Sequence, residues 1–261
     1  MALSKSALKK ALKKGFITVN GVLGTTATYI SGGEILAYTA SEITVPKKQF
    51  NQNLDVIFQD DYLAIIRKPA GILVSGNVFK TVTNALVQNL EKSTLPNATK
   101  PQPVHRLDFA TTGVLLIGKT TQSITALNNL FKNKAVQKNY YAITIGKMAK
   151  SGVIDTLVEH KKAVSNYTVL SSVNSKRFGI LNLVDLSPKT GRKHQLRKHL
   201  FSIGNPILGD KDYFLKDLIL NGKGMYLHAY ALEFKHPFTH EAISIKDQLP
   251  ERFKKIFNLE M

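Results

Sequence analysis

Residues 105–117, His105-Arg106-Leu107-Asp108-Phe109-Ala110-Thr111-Thr112-Gly113-Val114-Leu115-Leu116-Ile117, set a polar, charged segment directly before an apolar run. The run Gly113–Ile117 reads as a strand buried on both faces. A carboxylate in the loop before such a strand is well placed to meet a ligand. Asp108 is also isolated in charge, because no other acidic residue lies between Glu91 and Asp155.

Working outward, residues 56–58 and 63–66 read as strands around an Asp60-Asp61 turn, and Lys68-Pro69-Ala70-Gly71 as a second turn. Residues 91–103 are expected to be a loop, 120–133 a helix, and 141–145 and 180–186 strands. The spacing of Leu196, Leu200 and Ile203 predicts a helix over 191–203. Strands and helices mix without a βαβ rhythm, so the fold class is α+β rather than a doubly wound sheet.

Upstream, residues 4–14 predict a short basic helix with Leu8 and Leu12 on one face. Gly15 ends it, Asn20-Gly21 marks a two-residue hairpin, and 35–38 reads as a further strand. Lys9, Lys10, Lys13 and Lys14 make this helix a candidate contact for phosphates. The organisation expected is a small module over 1–46, a polar linker over 47–53 and a larger domain over 54–261.

Composition narrows the partners. The chain has 261 residues, 43% hydrophobic, with 36 basic against 18 acidic side chains and a net charge of +18. That balance favours polyanions. Six of the basic residues are arginines and thirty are lysines, and Arg106, Arg192 and Arg197 fall within 105–108 and 190–200. Arginine's planar fork suits carboxylates, phosphates and base edges, so scarce arginines gathered in two segments mark a site. With no cysteine there is no disulfide or thiolate metal site. No apolar stretch is long enough for a membrane span. The basic N-terminus reads as a helix and not a transit peptide.

The segment Thr190-Gly191-Arg192-Lys193-His194-Gln195-Leu196-Arg197 is expected to open the second basic helix. Cations in a first turn oppose the helix dipole, which points to an anionic partner there. His194 and His199, five apart, have the wrong interval for one helical face, and no metal is expected. Residues 204–211, GNPILGDK, imitate a phosphate loop but carry Asp210 where the lysine belongs, so a simple turn is expected.

Together these segments resemble the RluA family of pseudouridine synthases over roughly residues 54–250. The markers are Ile65–Gly71, His105–Asp108, Thr111–Val114, Lys138-Asn139-Tyr140, Thr190–Arg197, Gly204–Asp210 and Leu227-His228-Ala229. The resemblance implies a central mixed, mainly antiparallel sheet flanked by helices and loops. It also implies isomerisation of uridine to pseudouridine in RNA, ribosomal RNA in preference to transfer RNA, without a cofactor. Asp108 would be the catalytic carboxylate, attacking sugar or base or removing a ribose proton. Arg197 would pair with Asp108, and Tyr140 would pack on the base and assist proton removal from carbon five. Arg106 would hold the flipped base, with His105, Arg192, His194 and Gln195 as further substrate contacts. The module over 1–46 resembles a truncated S4-like RNA-binding domain. A cytoplasmic monomer is expected. An inactive RNA-binding or ribosome-associated protein on this scaffold is the alternative, and the presence of Asp108, Tyr140 and Arg197 speaks against it.

Overall fold

The computed structural model describes residues 5–39, 50–220 and 222–258. The chain divides into two compact units, 1–48 and 49–261. The expected boundary at 46 and positions 47–49 of the linker lie outside the described residues.

In the first unit, helix α1 (Lys5–Lys13) precedes a sheet of β1 (Ile17–Val19), β2 (Val22–Leu23) and β3 (Leu36–Tyr38), in the order β2-β1-β3. Asn20 and Gly21 both take positive φ, 49° and 81°, as a two-residue hairpin turn requires. Asn20 Oδ1 also accepts from the Ile35 amide, tying the turn to the return segment. Ala11 is the buried residue of α1, while Leu8 is exposed. Strands of three, two and three residues cannot cover the wider stripe that the sequence suggested. Lys9, Lys10, Lys13 and Lys14 are all exposed.

The second unit is built on one sheet. Along its main path the strands are β4 (Asp55–Gln59), β5 (Leu63–Lys68), β7 (Thr112–Thr120), β12 (Leu227–Lys235), β8 (Gln137–Ile145), β11 (Gly179–Pro188), β10 (Ser165–Ser175) and β9 (Ser151–Ile154). β6 (Ala98–Pro103) pairs with β7, and β13 (Ala242–Lys246) pairs with β12. Among these strands β7 and β12 pair in parallel and the other pairings are antiparallel. This is the mixed, mainly antiparallel sheet that the family resemblance implies. Helices α2 (Val82–Asn89), α3 (Thr121–Lys132), α4 (Gln195–Ser202) and α5 (Glu251–Phe257) flank it.

The apolar runs explain the centre. Leu63–Ile66 of β5 and Val114–Ile117 of β7 are all at most 1% exposed. At the head of β7, Gly113 sits at φ 117°, and a Cβ there would overlap the Ala229 carbonyl of β12. Only glycine allows that parallel junction. At the other end, Thr120 and Ser123 form a reciprocal cap that starts α3.

Two sequence expectations differ from the structure. Part of the predicted loop 91–103 is strand β6, which runs through Pro101 and Pro103 at the flank of β7. Proline suppresses the strand signal yet is tolerated where no ladder donor is needed. The helix predicted over 191–203 begins only at Gln195, because His194 takes a left-handed φ of 54° and residues 191–194 form a loop.

Candidate active site

A cleft of about 780 Å³ opens between the loop before β7, the end of α3, β8 and the segment 187–197. Its volume is in the range that holds a nucleotide-sized ligand. Among the described residues Asp108 is the only acidic side chain lining it, against Arg106, Lys132, Lys134, Lys138, Lys189, Arg192, Lys193 and Arg197.

The turn that carries Asp108 is fixed from below. Thr111 N–H donates to the Asp108 carbonyl at 3.1 Å, and Gly71 N–H donates to the Phe109 carbonyl at 2.9 Å. Lys68, fully buried at the end of β5, donates its ammonium to the carbonyls of Pro69, Phe109 and Thr111. Burial pushes this lysine down to about 8, against the pull of Asp108. A buried ammonium is tolerated here because three carbonyls replace its water.

Arg197, on the first turn of α4, faces Asp108 at 3.6 Å from Nη1 to Oδ2. The distance expected from the sequence is therefore short, but Asp108 is not its main partner. Nε and Nη2 donate to the two oxygens of Asp210, each at 2.6 Å, and Nη2 also donates to Asp212 at 2.7 Å. The Asp210 side chain is fully buried. Asp210 comes from the turn Gly204–Asp210, where the sequence suggested no role beyond returning the chain. Its partner is set by the fold and not by local spacing, and the one available sign was an acid standing in a loop otherwise suited to phosphate.

His194 faces Asp108 from the loop before α4, with Nε2 3.8 Å from Oδ1 and Nδ1 3.2 Å from the Tyr213 hydroxyl. Burial lowers its proton affinity, against the opposing pull of Asp108. Tyr140, on β8, also lines the cleft. Its phenol is held well above the usual tyrosine range, chiefly by burial and then by Asp108. Arg106 is exposed on the cleft wall and has no hydrogen-bond or ion-pair partner among the described residues.

His105, Arg192 and Gln195 also line the cleft, and each makes bonds that hold its walls. His105 accepts from the Leu116 amide through Nε2 at 3.0 Å and stacks on Phe131 at 4.8 Å. Burial pushes it down to about 3, so it is neutral and structural in this conformation. Gln195, expected to touch substrate, has no polar capacity to spare. Its carbonyl accepts from the Thr190 hydroxyl and the Arg192 amide, and its NH2 donates to the Val164 carbonyl and Ser165 Oγ. This brace also explains the late helix start, since the side chain closes back over the 190–192 loop. Arg192 lies in that loop and donates Nε to the Lys162 carbonyl at 3.2 Å. His199 points elsewhere: both ring nitrogens are engaged, by Ser165 Oγ and the Thr156 carbonyl.

A single carboxylate among many cations, held beside an arginine clamped by two other carboxylates, defines a site for chemistry on a polyanionic substrate. Residues 62–202 match the family described as RNA pseudouridylate synthase. The chain is 32% identical to the ribosomal large subunit pseudouridine synthase C of Rickettsia conorii, covering 97% of this chain and 91% of that one. It is 30% identical to the ribosomal large subunit pseudouridine synthase D of Nitrosomonas europaea, covering 95% and 78%. Among solved structures, human RNA pseudouridylate synthase domain containing 4 superposes with a TM-score of 0.62 at 28% identity, over 79% of this chain and 94% of that one. The chain belongs to the RNA pseudouridylate synthase family, in line with its resemblance to the RluA synthases, and is an isomerase that makes pseudouridine in RNA.

Proposed function

We propose that this enzyme isomerises uridine in large-subunit ribosomal RNA, with Asp108 as the catalytic carboxylate. The observation that carries the reading is Asp108 itself: among the described residues it is the cleft's only acid, with no hydrogen bond to its carboxylate and an arginine 3.6 Å away whose Nε and Nη2 donors are taken. The relatives' names supply the choice of RNA. In the reaction the N1–C1′ bond breaks, the uracil turns, and C5 bonds to C1′ while the C5 proton leaves and N1 gains one. Nothing is oxidised or reduced.

In this reading Asp108 acts on the target nucleotide, and Arg197 supplies positive potential beside it while Asp210 and Asp212 hold the guanidinium still. Tyr140, kept as a phenol, offers the base a flat face and a hydroxyl donor rather than a resident base. Arg106, free of partners, takes the place left by the flipped nucleotide. His194 orients towards the same carboxylate, and Arg192 meets the backbone. His105 and Gln195 act through the loops they hold. Residues 1–46 serve as an S4-like unit whose Lys9, Lys10, Lys13 and Lys14 meet phosphates, and the protein works as a monomer in the cytoplasm. Its exposed lysines and hairpin turn support the RNA-binding role.

The test is to map pseudouridines in ribosomal RNA from cells with and without the gene, complemented by wild type or Asp108→Asn. One or more large-subunit sites should vanish on deletion and return only with the wild-type gene. An unchanged map refutes the substrate assignment, and a map restored by Asp108→Asn refutes the role of Asp108.

A further inference from the structure

Lys138, the second residue of β8, differs from other sequestered cations of this unit. Lys68 donates to three carbonyls, Lys119 to the Asp60 carbonyl, Arg197 to two carboxylates, and Arg252 to the carbonyls of Lys223 and Met225. Lys138 is half-buried, yet among the described residues no hydrogen bond or ion pair reaches its ammonium. The Phe131 ring lies beside it, 5.7 Å from Nζ to centroid. Burial lowers its proton affinity and no carboxylate opposes the effect.

The ammonium is also accessible from the right direction. It lines the Asp108 cleft, and a Cβ built on Gly191 in the opposite loop would lie 3.8 Å from Nζ. A residue with a longer side chain at 191 would cover it; glycine leaves it open. Apart from Asp108, the charged side chains lining the cleft among the described residues are cations, Arg106, Lys132 and Lys134 on one wall and Arg192 and Lys193 on the other. A partly dehydrated ammonium without an acceptor is unfavourable by itself, so the site is complementary to an anion that arrives with the substrate.

We propose that Lys138 is a phosphate-binding residue, taking a non-bridging oxygen of the RNA strand that enters between β8 and the Gly191 loop. The inference rests on the reading of this cleft as the uridine site and adds which group of the substrate meets which wall. Lys138 touches the strand but does no chemistry, so its removal weakens binding and leaves turnover on saturating RNA nearly intact.

The test compares wild type, Lys138→Met, Gly191→Val and, as a control for net charge alone, Lys246→Met on exposed β13. RNA binding is measured over a salt series together with steady-state pseudouridine formation. Lys138→Met should raise Kd and KM about tenfold at low salt and flatten the slope of log Kd against log salt by roughly 0.7–0.9. Its thermal midpoint should equal or exceed wild type, since an unpaired charge is removed. Gly191→Val should raise KM with the lysine still present, and Lys246→Met should match wild type. Wild-type affinity and slope in Lys138→Met overturn the proposal, as does a fall in its thermal midpoint that tracks the loss of binding. Wild-type enzyme that forms no pseudouridine in ribosomal RNA would instead overturn the functional reading, while the salt slopes would still decide the fate of Lys138.

Discussion

Asp108→Asn and Asp210→Asn make the same chemical change on two carboxylates that face one guanidinium, and the structure gives them opposite consequences. The Asp210 side chain is fully buried, and one of its oxygens accepts from Arg197, Asp212 N–H and Tyr213 N–H. Breaking a buried pair by removing one charge costs about 3–5 kcal/mol. Asp212, 61% exposed, still holds Nη2 and returns part of that, so a net loss of about 2–4 kcal/mol is expected. For a unit of this size the loss lowers the melting midpoint by roughly 4–16 °C. Asp108 is 18% exposed and makes only two loose ion pairs, at 3.6 and 3.8 Å. Its neutralisation should change stability by less than about 1 kcal/mol. Pseudouridine formation should disappear in Asp108→Asn and fall in Asp210→Asn, where Arg197 is no longer clamped. Calorimetry on both variants, with product counted on ribosomal RNA, makes the comparison. Equal destabilisation by the two substitutions, or an Asp210→Asn enzyme with wild-type midpoint and turnover, would refute this division between scaffold and chemistry.

Stability should also fall in mild acid. His105 is pushed down to about 3 and His199 is lowered too, so below pH ~6.5 the unfolded chain binds protons that the folded one refuses. Each such histidine contributes a slope of up to about 1.4 kcal/mol per pH unit, lost as pH falls and flat above neutrality. Urea titrations at pH 7 and pH 5 check it, and equal midpoints would contradict it. Gly113→Ala places a methyl group into the Ala229 carbonyl and strains a φ of 117°, so it should cost more than about 3 kcal/mol and leave little folded enzyme. Soluble yield and circular dichroism decide; a native spectrum and wild-type midpoint would count against it.

What the sequence disclosed follows from how local each signal is. The β7 core, the Asn20-Gly21 turn and the α+β character are written in short apolar runs and turn residues, and the fold has them. Asp108 stood out because it is a lone acid next to such a run. Asp210 did not, because its meaning depends on Arg197, thirteen residues away, being brought back by a turn. The bracing role of Gln195 is equally non-local, because its four hydrogen bonds join segments about thirty residues apart. The start of α4 at Gln195 is not legible from the sequence, because a left-handed histidine leaves no mark on periodicity. β6 was hidden by its prolines.

The Arg197–Asp210 pair also shapes how this protein can change over generations. Altering either member alone strands a charge in the interior, so the two positions are locked together and a viable path must replace both. Asp108 carries no such lock, since its neighbours already have other partners. On the role proposed for Asp108, one substitution there leaves a folded chain with its cationic cleft intact and its chemistry gone. The scaffold thus lies a single step from an RNA-binding protein without activity, and much further from a different scaffold.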